Sequence, residues 1–329
     1  MSNGLRVGIV GASGIGQHHA RWHALSGSDV VAFVGTSETT VARTRLSLKE
    51  YFGFSGKGYT SLSEMLDEAA PDLVSVTSPY VHHKAHVKEL VDHGVHILCE
   101  KPLVWDEEKR LDEILADGRD IVTRASAAEK LFGMTAQYPA CLPMYGDLYA
   151  SVRGEDLGRA DSLTMEMEVK RRGERKLWEA NWIDVASHPL SLVIAVGGLG
   201  SMVAETAICT VEEAECTAAF TYVGDRATID VTFAIRDIVE GTPLRRFGVN
   251  GFLVDWDGFA DEDGVYRASL THGDHSIRGN DFLHTMIDRF SAAALEGRSH
   301  VLVGPEEALL NLELQVELLR KARVGTDAA

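Results

Sequence analysis

Long apolar runs are what this chain most clearly lacks. No stretch approaches the roughly 20 apolar residues needed to cross a bilayer, and the N-terminus has no charged-then-apolar leader pattern. Cysteine is scarce as well. The four present, at 99, 141, 209 and 216, are scattered and show neither paired metal-ligand spacing nor a disulfide framework. A reducing, cytoplasmic setting and no metal are expected. Positive charge is in deficit: 32 Lys and Arg face 49 Asp and Glu, a formal balance of −17. Such a surface repels a nucleic-acid backbone or an anionic membrane, so neither is an expected partner. Lys170-Arg171-Arg172, with Arg175 and Lys176, is interleaved with Glu168, Glu174 and Glu179. It reads as a solvated face before it reads as a phosphate site.

What is present is ample apolar content, 45% of 329 residues, which suits two domains better than one. From residue 5 to about 125, apolar runs at Leu5–Val10, Val30–Val34, Leu73–Thr77 and His96–Cys99 read as strands. Helical patterns fall between them at His18–Ser26, Ser61–Ala69 and Lys84–Asp92, with another at Glu107–Ala116 and a strand near Leu131–Tyr138. This βαβ rhythm predicts a doubly wound parallel sheet, a Rossmann domain over residues 1–125. From about 160 the pattern changes. Ser162–Val169, Thr217–Tyr222, Thr228–Ile235, Arg245–Val249 and Phe252–Asp255 read as strands with little room for crossover helices, and Val223-Gly224-Asp225-Arg226 as a hairpin. Residues 126–329 are therefore expected to form an α/β domain on an open, mostly antiparallel sheet. It would end in helices at Asp281–Ala294 and, after Gly304-Pro305, to Ala322.

The first strand runs into Gly11-Ala12-Ser13-Gly14-Ile15-Gly16, a glycine-rich turn before a helix. Such a turn lets the backbone approach a pyrophosphate while the helix N-terminus offers free N–H groups. Two spacings fit: Gly11, Ser13 and Gly16, with serine at the middle position, or Gly8, Gly11 and Gly14. At the end of the second strand, an NAD site usually places a carboxylate for the ribose. This chain has Gly35-Thr36-Ser37 there, with Glu38 late and Arg43 beyond. Thr36 and Ser37 could bond a 2′-phosphate, which favours NADP over NAD; Arg43 reads equally as an exposed helix residue.

Lys101 follows an apolar strand and precedes Pro102. Its ammonium suits a reacting hydroxyl or carbonyl, with Glu100 placed to orient it. Downstream, Asp184 and His188 are four apart and would share a helix face, a carboxylate beside a histidine suited to proton exchange. Pro189 complicates that helix. Trp178 and Trp182 read either as a sugar-facing wall or as core. His82, His83 and His86, and His272 with His275, lack a convincing further ligand set for a metal.

The glycine turn, Ser78-Pro79, His83, Glu100-Lys101-Pro102 and Asp184-x-x-x-His188 together resemble the glucose-fructose oxidoreductase/inositol dehydrogenase (Gfo/Idh/MocA) family, over essentially the whole chain. The resemblance implies an NAD(P)-dependent dehydrogenase that moves a hydride between nicotinamide and a secondary alcohol of a sugar, cyclitol or related small molecule. It implies a homodimer or homotetramer built on the second domain's sheet. It assigns Lys101 to the reacting oxygen, His188 to acid/base work and Asp184 to substrate binding or proton transfer. Cofactor contacts fall to Gly11, Ser13, Gly14, Ile15, Gly16, Thr36, Ser37, Arg43, Ser78, Pro79, His83, Glu100 and Lys101, and substrate contacts to Lys101, Trp182, Asp184 and His188. Tyr80, where the family often has asparagine, and Ser191, where it often has aspartate, depart from the pattern. Within the same fold, NAD-dependent glycoside cleavage and dinucleotide binding without chemistry are alternative activities.

Overall fold

The computed structural model describes residues 4–171, 179–298 and 301–326. Two compact units emerge, and neither is a continuous stretch of chain. One comprises residues 1–136 and 283–309, the other 137–282 and 310–329.

The first unit is built on strands β1 (Arg6–Val10), β2 (Asp29–Val34), β3 (Lys57–Tyr59), β4 (Leu73–Val76), β5 (His96–Glu100) and β6 (Phe132–Thr135). They form one parallel sheet in the order β3-β2-β1-β4-β5-β6. Strands buried on both faces should read as continuous apolar runs, and β1, β4 and β5 do. Helices α1 (Ile15–Leu25), α2 (Glu38–Phe52), α3 (Leu62–Ala69), α4 (His83–His93) and α5 (Leu111–Ala127) connect them. The strand order reverses between β1 and β4, the usual seat of a ligand in a doubly wound sheet. Helix α5 runs unbroken through residue 125, and β6 joins the same sheet, so this unit reaches Ala136.

In the second unit α6 (Leu142–Arg153) precedes β7 (Ser162–Lys170). Helices α7 (Ala180–Val185) and α8 (Ser187–Gly197) lead to β8 (Gly200–Met202) and β9 (Ile208–Val211). Then come β10 (Glu215–Gly224), β11 (Thr228–Ile238), β12 (Arg245–Val249), β13 (Phe252–Ala260), β14 (Tyr266–His272) and β15 (His275–Asn280). The nine-stranded sheet has the order β15-β14-β13-β12-β7-β11-β10-β8, with β9 on β10; only β7 and β11 run parallel. The β10–β11 hairpin falls at residues 223–228, as the glycine there foretold.

Alternation gives this sheet two different faces. Leu163, Met165, Met167, Val231, Phe233, Ile235, Phe247, Val249, Val254 and Trp256 are buried on one. The other carries paired polar side chains: Thr164 with Thr232, Thr221 with Asp230, Arg236 with Glu166 and Glu215, and Arg246 with Asp255. The chain closes with α9 (Phe282–Glu296) and α10, which starts at Pro305 and runs to Thr326.

Candidate active site

The turn after β1 is shaped by its glycines. Gly8 lies inside β1 against the Met65 side chain, so the Gly11, Ser13 and Gly16 spacing describes the cradle. Gly11 has φ +89° and Gly14 φ +60°, both costly for a residue with a Cβ. A Cβ on Gly16 would overlap the Gly11 carbonyl oxygen and stand 2.6 Å from Thr77 Oγ1. Thr77 Oγ1 itself donates to the carbonyls of Val10 and Gly11, tying the end of β4 to the turn. No side chain caps α1, whereas Ser37 Oγ accepts from Thr40 N at the start of α2 and Ser61 Oγ from Glu64 N at the start of α3. Ser13, Gly14 and Ile15 are exposed. A glycine cradle leading to an uncapped helix N-terminus fits a dinucleotide pyrophosphate.

Thr36, Ser37, Glu38 and Arg43 are all exposed at the end of β2 and along α2. Ser37 is committed to capping its helix, and Arg43 stands within that helix.

Lys101 follows β5, on the same sheet edge as the glycine turn, because β1, β4 and β5 are parallel neighbours. It is half-buried, and its peptide N–H donates to Glu100 Oε2 at 3.2 Å. The Lys101–Pro102 bond is cis. Glu100 Oε1 pairs with His19 Nε2 at 2.9 Å and accepts from Thr135 Oγ1 at 2.6 Å. Burial alone would raise the Glu100 carboxyl. The hydrogen bond and charge of His19, the Lys101 ammonium and the Thr135 hydroxyl outweigh it and hold the group at about 2. Glu100 is thus an ionised anchor joining α1, β5 and β6 directly under Lys101.

His83 is 1% exposed and lies between two loops. Its Nε2 is 2.9 Å from Ser78 O, and its Nδ1 is 3.1 Å from Pro102 O and 3.3 Å from Leu103 O. Burial lowers its basicity, while those carbonyls and Glu100 oppose the shift. One imidazole therefore holds the Ser78-Pro79 loop against the loop that follows Lys101. Ser78 Oγ is bonded to His86 Nδ1, and Tyr80 donates to Glu107. Among the described residues no group of three His, Cys, Asp or Glu is arranged to hold a metal.

In the second unit the chain breaks its helix at Ala186, between α7 and α8. Pro189 therefore falls in the first turn of α8, where its missing N–H costs nothing. Side chains of α10 bond the backbone carbonyls on both sides of the break. Gln315 Nε2 donates to Trp182 O and Ile183 O, and Asn311 Nδ2 to Ser187 O. Asp184 is exposed near the end of α7, and His188 is half-buried at the start of α8. The His188 ring lies 5.6 Å from that of Tyr138. Ser191 does not extend the acidic set; its Oγ donates to His188 O at 2.7 Å.

Residues 5–129 match a family described as an oxidoreductase family with an NAD-binding Rossmann fold, GFO_IDH_MocA. That match lies within the first, Rossmann-type unit and does not extend to the second. Over 104 residues it is 33% identical to glucose-6-phosphate 3-dehydrogenase of Bacillus subtilis, covering 32% of this chain and 28% of that protein. Over 113 residues it is 31% identical to inositol 2-dehydrogenase of Corynebacterium glutamicum, 34% of this chain and 32% of that one. The chain thus matches about a third or less of the length of these curated relatives. Among solved structures, UDP-N-acetylglucosamine 3-dehydrogenase GnnA from Acidithiobacillus ferrooxidans covers 98% of both chains at TM-score 0.71 and 18% identity. A levoglucosan dehydrogenase complexed with NADH and levoglucosan covers 97% of both at TM-score 0.72 and 13% identity. At such identities the likeness is one of fold.

Trp182 departs from its expected place. It is fully buried, stacked on Phe233 with ring centres 5.9 Å apart, and its Nε1 donates to Gln315 O at 3.0 Å. It is a core residue with no surface left to offer a sugar, because the helix break that follows it must be packed and bonded from beneath. Trp178, Arg172, Arg175 and Lys176 lie outside the described residues. Sequence reasoning missed His19, Thr135, Tyr138 and Gln315. Only an alternation of polar residues within apolar runs could have flagged them, and that signal does not name partners.

Proposed function

We propose that this protein is an NAD(P)-dependent dehydrogenase or reductase acting on a secondary alcohol or carbonyl of a sugar, cyclitol or related small molecule. The observation that carries the reading is the glycine cradle and Lys101 on one edge of a single parallel sheet, with Lys101 underpinned by the ionised Glu100. The names of the similar dehydrogenases support the substrate class.

The bound dinucleotide would supply a hydride acceptor or donor. Gly11, Ser13, Gly14, Ile15 and Gly16 would hold its pyrophosphate, and the Ser78-Pro79 loop, fixed by His83, would border it. Lys101 would hydrogen-bond the substrate oxygen and stabilise negative charge as it develops there, a gain larger in the transition state than in the neutral alcohol. His188 would accept the hydroxyl proton on oxidation and return it on reduction, with Asp184 holding substrate hydroxyls. NADP is the proposed preference, since Gly35-Thr36-Ser37 directly follows β2 and the first carboxylate, Glu38, comes only at the start of α2. The half-exposed polar face of the second sheet is the proposed surface for a homodimer or homotetramer, and the free, mostly buried cysteines suit a reducing cytoplasm.

Titration of the protein with NAD(H) and NADP(H), read by nicotinamide fluorescence, tests the cofactor reading. Binding of neither would sink the enzyme assignment; tighter NAD binding would overturn only the NADP preference. Lys101→Ala should lower turnover by roughly 10²–10³-fold with cofactor affinity retained. Unchanged turnover would remove Lys101 from the chemistry.

A further inference from the structure

The second unit contains a group of buried polar atoms that its own fold leaves unsatisfied. Tyr138 is fully buried and Trp256 is 2% exposed, yet among the described residues neither Tyr138 Oη nor Trp256 Nε1 has a hydrogen-bond partner; the same is true of the buried Arg245 Nε. These three residues form one cluster. The Tyr138 ring meets that of Trp256 edge-on at 5.0 Å, and the Arg245 guanidinium carbon stands 4.4 Å over the Trp256 ring. Burial pushes the Tyr138 phenol well up, and the nearby guanidinium pulls against that shift.

Register explains how an arginine came to be there. Arg245 opens β12 opposite Met167, two residues before Phe247 and four before Val249, so its side chain belongs to the apolar face of the sheet. Its neighbour Arg246 points to the other face and is held by both oxygens of Asp255. Arg245 has no carboxylate partner among the described residues, in a chain with 49 acidic side chains. A buried donor left unmade costs stability, so a fold keeps three together only where something else satisfies them.

The donors define their ligand. Arginine Nε–H and indole N–H only donate, and a phenol hydroxyl donates as readily as it accepts. Three clustered donors with one fixed positive charge match an acceptor-only group, an oxyanion. The Tyr138 ring also touches that of His188. We infer that Arg245, Tyr138 and Trp256 form an oxyanion-binding subsite beside His188, so that the substrate is an acidic sugar or cyclitol bearing a carboxylate or phosphate. This rests on the dehydrogenase reading for the word substrate; the subsite itself does not.

Calorimetry on the full-length protein with D-glucuronate, glucose 6-phosphate and D-glucose tests the subsite, with nicotinamide turnover of each recorded separately. At least one of the two acids should bind roughly 30- to 1000-fold more tightly than glucose, and Arg245→Met should erase the difference. Which acid binds distinguishes carboxylate from phosphate. Arg245→Lys, which keeps the charge but not the fork, should recover only part of it. Tyr138→Phe should weaken the acid about 3- to 10-fold while leaving thermal stability equal to wild type or higher, because it removes an unpaired buried hydroxyl. A merely structural tyrosine would lose stability and leave binding alone. Equal affinity for glucose and both acids, no binding of any, or unchanged binding in both Arg245 variants overturns the subsite. Acid binding without turnover leaves the subsite standing and counts against the dehydrogenase reading; turnover without acid preference does the reverse.

Discussion

Two glycines of the same turn illustrate how differently a missing side chain can matter. Gly14 has a positive φ but open space around it, so alanine there meets only backbone strain, about 1 kcal/mol. Gly16 sits where a Cβ would overlap the carbonyl of Gly11, which is backbone and cannot swing aside. Gly16→Ala should therefore displace α1 from β1, lowering stability by roughly 2–3 kcal/mol and dinucleotide affinity with it, well beyond the effect of Gly14→Ala. Urea unfolding of the two variants, side by side, checks the order; the reverse order would mean the helix shifts freely. The glycine pattern was legible in the sequence because it is local. The choice between its two spacings was not, since only the fold shows that Gly8 faces Met65 inside a strand. Arg245 heading an apolar strand was visible too, but its meaning depends on Tyr138, more than 100 residues away in sequence.

Elements declared themselves where burial was one-sided or complete, and hid where it was thin. Strand β12 falls on Arg245–Val249 as its apolar run indicates. Helix α2 was legible only as one reading of Arg43, without bounds, because only Val41, Thr44 and Leu48 of its fifteen residues are buried. Helix α5 continues past residue 116, through Asp117-Gly118, which as sequence resembles a stop. Asp117 is instead clamped by Lys84 and Lys109, each with Nζ 2.6 Å from a carboxylate oxygen, so the helix pays no penalty for it. The α7–α8 break was legible only as a misplaced proline. Its repair by α10 required tertiary structure. Gln315→Leu should strand the Ile183 carbonyl and cost about 2 kcal/mol. It should also lower turnover, because His188 follows the break; denaturant midpoints equal to wild type would mean water serves those carbonyls as well as Gln315 does.

For the molecule as a whole, acid is the predicted weakness. His23 is completely buried between Ser75 and Ser291. Burial above all, then the nearby His19 and His284, hold it at about 3 instead of 6.5. His86, buried beside His82 and His83, is held at about 4. Between pH 6.5 and these values the unfolded chain binds protons that the folded one refuses, so stability falls as pH falls. Glu100 adds a second loss in the same direction between about 4.5 and about 2, where the unfolded carboxyl is protonated and the folded one is not. Unfolding free energy measured from pH 7.5 to pH 4.5 should decline throughout, more steeply in the wild type than in His23→Leu. A profile flat to pH 5 would show that His23 protonates without unfolding the protein.

The first unit is also closed late. Its sheet is complete at Thr135, but α9 returns to it from beyond residue 282. There His284 stacks on Trp22 at 4.7 Å, Ser291 reaches His23, and Val303 O accepts from Met134 N. During synthesis the Rossmann half must therefore wait, with one apolar flank uncovered, until residues 137–282 of the other half have left the ribosome. Protein engineers inherit the same constraint: no single cut separates the halves, because each is interrupted by a segment of the other.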